Sequence, residues 1–451
     1  MEDLPNGFTG FAHRKEGFVS AGEASRISRG VATARPSASP IPHHVREAAA
    51  AVSTEPPAKA VPFADAELAR VSTAEARGAW IQIDLAAVRY NVAQTRRLLQ
   101  PRCRLMAVVE ADAYGHGAVE VAKAALGAGA DHLGVTTLTE ALELRDAGIT
   151  APIVLLAQPT AASAPLLLAH KIVPSAYEPD FAIAYAEVAD RHGIKAPYHL
   201  LLNTGMNHLG VAYYNAVEFL HQVSFHRALE LEGTLTHFAT ADCPETLDFH
   251  IQAKRFVEAI EAMHAAGFDP GIVHCANTAA LYRFPDVHFD MARMGISLCG
   301  LHPCAQTRSL VDLRPAMSVH ARIVDMRTVG VSEGVSHGLR YRSPGAVKVC
   351  TIPLGYADGL RFGLSDNVDF IVQGRYFRQV GEICLSHCMF EVDLRRTPAR
   401  EQVNMQVGDE VIVVGSQGIA EATLDEMAER LRTTNYEVAM GFGQRLPRIY
   451  V

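Results

Sequence analysis

The chain has 451 residues, with 41 Lys and Arg against 49 Asp and Glu, a formal net charge of −8, and 49% hydrophobic side chains. That length and composition predict a soluble globular protein with a large core, either two to four domains or one barrel with an attachment. No run of about 18 apolar residues is present, which excludes a helical membrane span, and the acidic balance argues against a protein built to coat nucleic acid. Only seven of the basic residues are lysine: Lys15, Lys59, Lys123, Lys171, Lys195, Lys254 and Lys348.

Residues 1–77 are rich in Ala, Pro, Ser and Gly (ATARPSASPIP at 32–42) and read as a leader without fixed structure. The acidic Met1-Glu2-Asp3 start, with no apolar stretch after it, disfavours a secretory signal and predicts a cytoplasmic protein. From Trp80 the pattern changes. Apolar runs of strand length fall at 105–109, 132–135, 153–156, 172–174, 198–202, 231–236 and 272–274. Between them lie amphipathic helical stretches, such as 118–126, 140–147, 215–223 and 247–266. Seven or eight βα units in about 220 residues predict an α/β fold, a (β/α)8 TIM-like barrel over 78–310. Beyond 310 the helical rhythm stops. Strand-like runs at 319–329, 347–352, 368–372, 380–384 and 410–414 predict a mostly β C-terminal domain over 311–451.

The eight cysteines are widely spaced, which fits reduced thiols; Cys384 and Cys388 flank His387 as half a zinc site, but no second pair follows. In a barrel, chemistry gathers at the C-terminal ends of the strands. Glu110 ends the first barrel strand and opens EADAYGHG. His208 lies in NTGMNHLG, His237 in TLTHFATAD, His274 with Asn277 and Thr278 in VHCANTAAL, Arg293 in MARMGISLCG, and Tyr356 in IPLGYADGL. Any one such histidine is ordinarily a hydrogen-bonded structural residue; several polar residues at successive strand ends indicate one shared mouth.

Those segments, with AWIQIDLAAVRYN at the start and RLPRIYV at the end, resemble the alanine racemase family in its own order from Trp80 to Val451. The resemblance implies a barrel plus β domain and a homodimer whose sites combine barrel residues of one subunit with β-domain residues of the other. It also implies pyridoxal phosphate held as a Schiff base on a lysine, whose place is taken here by Glu110. A carboxylate forms no imine, and none of the seven lysines stands at an upper strand end. Other positions depart from the family's pattern: His337 in VSHG for a tyrosine of the partner subunit, His208 for an arginine, Leu201 for a lysine, Asn203 for an aspartate, and Cys384-Leu385-Ser386 for a CMD turn. Several positions match. Tyr114, Tyr356, Thr278, Gly295 and Ile296 correspond to phosphate-binding groups, Arg293 to the residue at the pyridine nitrogen, and His237 to the residue stacked on the ring.

Three readings follow. One is a repurposed isomerase- or lyase-like enzyme acting on an amino acid or related small anion, with Glu110 and His337 as an acid/base pair and pyridoxal phosphate held without a covalent bond. The second is a metal enzyme using Glu110, His208 and His237 as ligands. The third is a non-catalytic binding or scaffold relative, to which the apolar Leu201 and Leu385 point. All three predict a small-molecule or protein partner of the same chain, and neither nucleic acid nor membrane.

Overall fold

The computed structural model describes residues 73–393 and 404–451. The predicted leader lies outside the described residues except for its last five, which form helix α1 (Thr73–Arg77). Arg77 closes that helix, and its guanidinium donates to Pro353 O at 2.7 Å and to Asp358 Oδ1 at 2.8 Å. Strand β1 (Ala79–Ile83) follows, and then α2 (Leu85–Leu98), whose start is capped by the Asp84 carboxylate accepting from the N–H groups of Ala86 and Ala87.

The barrel strands are β2 (Arg104–Val108), β3 (His132–Val135), β4 (Ile153–Leu155), β5 (Ile172–Ala176) and β6 (Ala196–Asn203). After β7 (Val211–Ala212), a two-residue ribbon on β6, come β8 (Leu229–Leu235), β9 (Ile272–His274) and β10 (Met291–Met294). Their order is β10-β2-β3-β4-β5-β6-β8-β9, parallel at every step. Backbone bonds from Asp290 N to Val273 O and from Arg293 N to Ala276 O, both 3.0 Å, bring β10 against β9, so the eight-stranded ring is nearly closed. Around it lie α3 (Ala118–Gly127), α4 (Leu138–Asp146), α5 (Ala164–Ala169), α6 (Pro179–His192), α7 (Ala216–Val223), α8 (Leu247–Ala265) and α9 (Thr278–Arg283). Strands β3, β4, β5 and β10 are buried at every residue, as parallel strands between two layers must be. The eighth strand, β10, is absent from the apolar runs of the sequence because Arg293 interrupts its four residues.

The second domain is β-rich. Its main sheet runs β17 (Arg375–Arg378), β16 (Asp369–Val372), β19 (Glu410–Gln417), β11 (Met317–Arg322), β1 and β21 (Arg448–Tyr450), with β20 (Ala420–Ala422) beside β19. A second sheet joins β12 (Asp325–Val329), β15 (Val347–Ile352) and β18 (Cys388–Asp393), and β13 (Gly334–Val335) pairs with β14 (Tyr341–Arg342). Strand β18 alternates buried and half-buried residues, the pattern of a sheet with one covered face. Helices α10 (Leu424–Leu431) and α11 (Asn435–Gly441) complete the fold.

Three expectations change. Strand β1 falls in the segment assigned to the barrel, yet it pairs antiparallel with β11 and parallel with β21, in the β-domain sheet. The single run at 319–329 divides into β11 and β12, which belong to different sheets. The run at 380–384 is a loop: Gly381 turns at φ +73°, and the N–H groups of Gly381 and Ile383 are taken by the Asp366 and Ser365 side chains. All eight cysteines are free thiols, and no described helix is long and apolar enough to cross a membrane.

Candidate active site

The segment after β2 takes a backbone course that nothing in its composition announces. Ala111, Asp112, Ala113 and Tyr114 all have φ between +51° and +57°, a left-handed turn built without glycine. Such residues are strained by about 1–2 kcal/mol each, so the turn must be held from several sides. Ala111 N–H donates to Glu140 Oε1 at 2.8 Å, the Asp112 carboxylate accepts from Ala118 N at 2.8 Å, and Arg448 donates twice to Gly115 O, at 3.0 and 2.9 Å. Helix α11 leaves no room for a side chain at Gly115, where a Cβ would lie 3.1 Å from Ala439 O. The effect is to point Glu110 and Tyr114 together into the barrel mouth. The Tyr114 hydroxyl donates to Glu110 Oε1 at 3.2 Å, and the Thr136 hydroxyl donates to Oε2.

A cavity of about 640 Å³ opens there. Of the residues predicted from sequence, Glu110, Tyr114, His237, Asn277, Thr278, Arg293, Gly295 and Ile296 line it. Gly295 N–H donates to Thr278 Oγ1 at 2.8 Å, and a Cβ on Gly295 would come within 2.4 Å of the Tyr114 oxygen. Two hydroxyls thus converge on a spot of bare backbone, a cradle in which Tyr114 gives its proton to Glu110 and the Thr278 hydroxyl is the donor offered to an anionic group.

Arg293, 2% exposed, forms the cavity floor. It donates to Thr236 O at 2.8 Å, to His274 O and Cys275 O at 3.1 Å, and to His274 Nδ1 at 3.2 Å. Burial pulls its pKa down to about 10, so it remains a cation at neutral pH. Beneath it, His274 Nε2 meets His199 Nδ1 at 2.8 Å, and His199 Nε2 stands 3.6 Å from Glu232 Oε1. Burial first, and with it the Arg293 charge, hold the pKa of His274 well below the usual histidine value, so the ring is neutral. His237 opens onto the cavity beside Arg293. Desolvation and then the arginine charge lower its pKa too. The Tyr114 phenol is pushed up, first by burial and then by the Glu110 carboxylate, so it stays a donor.

The remaining predicted residues stand elsewhere. His208 lies on the open rim of a second cavity of about 270 Å³ that adjoins the first. It is not gathered with Glu110 and His237 into a ligand set: among the described residues no three His, Cys, Asp or Glu side chains are placed to hold a metal ion. His237 instead points its ring nitrogens toward Arg293, at 3.5 Å, and Asn277, at 3.4 Å. The half-zinc pattern at Cys384 is a tight turn, with Cys384 N–H donating to His387 O at 2.9 Å.

His337 and Tyr356 are on the β domain, outside the cavity of their own chain. The turn at Ser336–Leu339 lies against the Cys384–Ser386 turn, with Ser336 Oγ 3.3 Å from Cys384 Sγ, and Tyr356 N–H donates to Cys384 O at 3.0 Å. This group carries the exposed apolar side chains of Leu339, Tyr356, Phe362 and Leu385.

Tyr436, Thr434 and Met440 also line the cavity, and sequence reasoning missed them. They arrive on α11, whose first turn is capped by Thr434. The Tyr436 ring packs edge-on against Tyr114, centroids 5.9 Å apart. The one signal was a Thr-Asn-Tyr-Glu helix start shortly before the closing motif.

Two family models match the chain: alanine racemase, N-terminal domain, over residues 83–303, and alanine racemase, C-terminal domain, over 316–450. An alanine racemase of Synechocystis sp. is 39% identical over 374 residues, spanning 83% of this chain and 99% of the relative. The solved alanine racemase of Clostridium difficile 630 superposes with a TM-score of 0.77 at 33% identity, covering 83% of this chain and 96% of that one. A histidine racemase of Leuconostoc mesenteroides superposes at 0.75 with 28% identity, covering 83% and 98%. The chain belongs to the alanine racemase family.

Proposed function

We propose that the barrel mouth binds pyridoxal phosphate, the cofactor of this family, or a related small anion without a covalent link, and that the protein moves a proton on an amino acid or similar substrate. The observation that carries this reading is the Glu110 carboxylate, set in the cavity wall between the Tyr114 and Thr136 hydroxyls, where the family's resemblance expects the imine-forming lysine. The group fits in part. The Thr278 hydroxyl beside the bare Gly295 backbone offers a phosphate a donor, and Arg293 and His237 supply a cationic floor and a flat flank for a ring. No amine stands at position 110 to bond its aldehyde.

When bound, the pyridine ring would draw electron density from a carbon joined through its aldehyde. The chain's own residues do the rest: Glu110 takes or gives a proton at the substrate's α-carbon on one face, and Tyr114 holds the carboxylate in place. His337 of a second copy would serve the opposite face. The exposed apolar cluster around Tyr356 and Leu385, beside the His337 turn, supports a homodimer docked through that surface. Relatives named alanine racemase and histidine racemase support an amino-acid substrate.

Incubation with amino acids in D2O, with and without pyridoxal phosphate, tests this directly by loss of the α-proton signal in NMR. Exchange is expected in the wild type and should vanish in Glu110→Gln. Borohydride reduction is expected to leave no covalent adduct. A stable adduct on any lysine overturns the non-covalent reading, and cofactor binding without exchange would make the protein a binding relative.

A further inference from the structure

The second cavity is an apolar chamber opening from the first. The two share Glu110, Thr136, Leu156, Met206, His237 and Arg293 as a common border. Its inner walls are Leu201 and Leu235, 5% and 2% exposed. Leu200 and Leu202, the neighbours of Leu201 on β6, belong to the main hydrophobic core; Leu201 and Leu235, though buried, do not. Strand alternation explains the division, since odd-numbered positions of β6 face the barrel interior here. These two leucines are therefore turned to the cavity and not to core packing.

Three polar side chains of the same walls, Asn203, Thr204 and Thr236, are already satisfied. Thr204 and Thr236 hydroxyls bond each other at 2.9 Å, and the Thr236 hydroxyl donates onward to Leu202 O. Asn203 Oδ1 accepts from the N–H groups of Gly205 and Asn207. The loop that roofs the chamber is fixed by Gly210, where a Cβ would sit 2.7 Å from Asn203 N. At about 270 Å³ the chamber exceeds the roughly 150 Å³ cavity that admits a benzene ring.

We propose that this chamber is the side-chain subsite of the enzyme, seating an aliphatic or aromatic amino-acid side chain larger than a methyl group. The proposal rests on the reading that the mouth holds a phosphopyridoxyl group and an amino acid. Alanine would leave the chamber empty. Burying three extra carbons there favours leucine over alanine by more than tenfold in affinity.

The test uses stable reduced conjugates, N-phosphopyridoxyl-L-alanine and N-phosphopyridoxyl-L-leucine, titrated calorimetrically into the full-length protein. The leucine conjugate should bind at least tenfold more tightly. Filling the chamber by Leu201→Trp, or from the facing wall by Leu235→Phe, should cut that advantage below threefold, with folding checked by circular dichroism. Equal affinities for the two conjugates in the wild type would overturn the subsite while leaving the cofactor site standing. Failure of both to bind would overturn the site reading and the subsite with it. A leucine advantage that survives in both folded variants would also overturn the subsite, because the side chain would then lie elsewhere.

Discussion

His274 and His199 share a hydrogen bond of 2.8 Å in the barrel interior, and its direction is set by Arg293. Because the guanidinium donates to His274 Nδ1, the neutral ring carries its proton on Nε2 and donates to His199 Nδ1; His199 then turns its own N–H toward Glu232. Removing the middle of this chain strands a buried donor. His199→Ala should cost about 2–4 kcal/mol, from the unpaired His274 N–H and the void left behind. Urea unfolding at pH 7.5 measures it; a loss under about 0.5 kcal/mol would mean that the histidines do not depend on one another.

A second histidine makes the fold sensitive to acid. His116 is fully buried, with Nδ1 at 3.0 Å from Tyr114 O, and burial pushes its pKa down to about 4. In the unfolded chain it titrates near 6.5. Between those values the unfolded state holds a proton that the folded state refuses, so stability falls as pH drops from about 6.5 to about 4, at up to about 1.4 kcal/mol per unit. Comparing the wild type with His116→Asn by denaturant titration at pH 6.5 and 5 should show about 1.5 kcal/mol less acid loss in the variant. Parallel curves would contradict the assignment.

The barrel was legible because its parallel strands, covered on both sides, read as short continuous apolar runs. The strand that escaped, β10, is the one that carries Arg293 inward. The site was legible where a polar residue ends a strand, as with Glu110, His237 and Thr278. It was not legible where the chain returns from far away: Tyr436 arrives on α11, more than 300 residues after Tyr114, and its turn signals only a helix start. The left-handed turn at 111–114 was hidden for another reason. It is imposed by Glu140, Arg448 and α11, partners that no local propensity encodes. The placement of β1 in the far sheet is likewise a matter of non-local pairing.

The cradle makes a sharper claim than the cavity as a whole. A Cβ on Gly295 would press on the Tyr114 oxygen at 2.4 Å and approach Thr278 Oγ1 at 3.4 Å. Gly295→Ala should therefore weaken pyridoxal phosphate binding tenfold or more while costing about 1–3 kcal/mol of stability by overpacking. Equilibrium dialysis against pyridoxal phosphate, beside pyridoxal without the phosphate, separates the two effects. An equal loss for both ligands would place the phosphate somewhere other than the cradle.

Glu110→Lys asks whether the site lacks only its amine. The new side chain would leave the same strand end, beside Tyr114 and Thr136, and open onto the same cavity. Borohydride reduction in the presence of pyridoxal phosphate is expected to fix close to one cofactor per chain in the variant and none in the wild type, read by intact mass. Absence of an adduct in a folded variant would show that the mouth does not bring the aldehyde to this strand end.

The last prediction concerns how the start of the described chain is tied down. Asp358 is fully buried, and its Oδ1 accepts from Arg77 at 2.8 Å and Arg445 at 3.0 Å while Oδ2 accepts from Gly355 N–H at 3.0 Å. A carboxylate without solvent is stable only with such partners, and removing it strands two cations and a backbone donor. Both arginines are partly exposed, so water recovers some of the loss. Asp358→Ala should cost about 2–4 kcal/mol and expose the bond after Arg77 to trypsin, because the Arg77 guanidinium then keeps its bond to Pro353 O but loses the carboxylate. Arg77→Ala should release the same helix at smaller cost, since the buried carboxylate keeps Arg445. Thermal melts with timed proteolysis distinguish the two variants. If both lose equal stability, the carboxylate is not shared between the arginines in the way the 2.8 and 3.0 Å contacts imply.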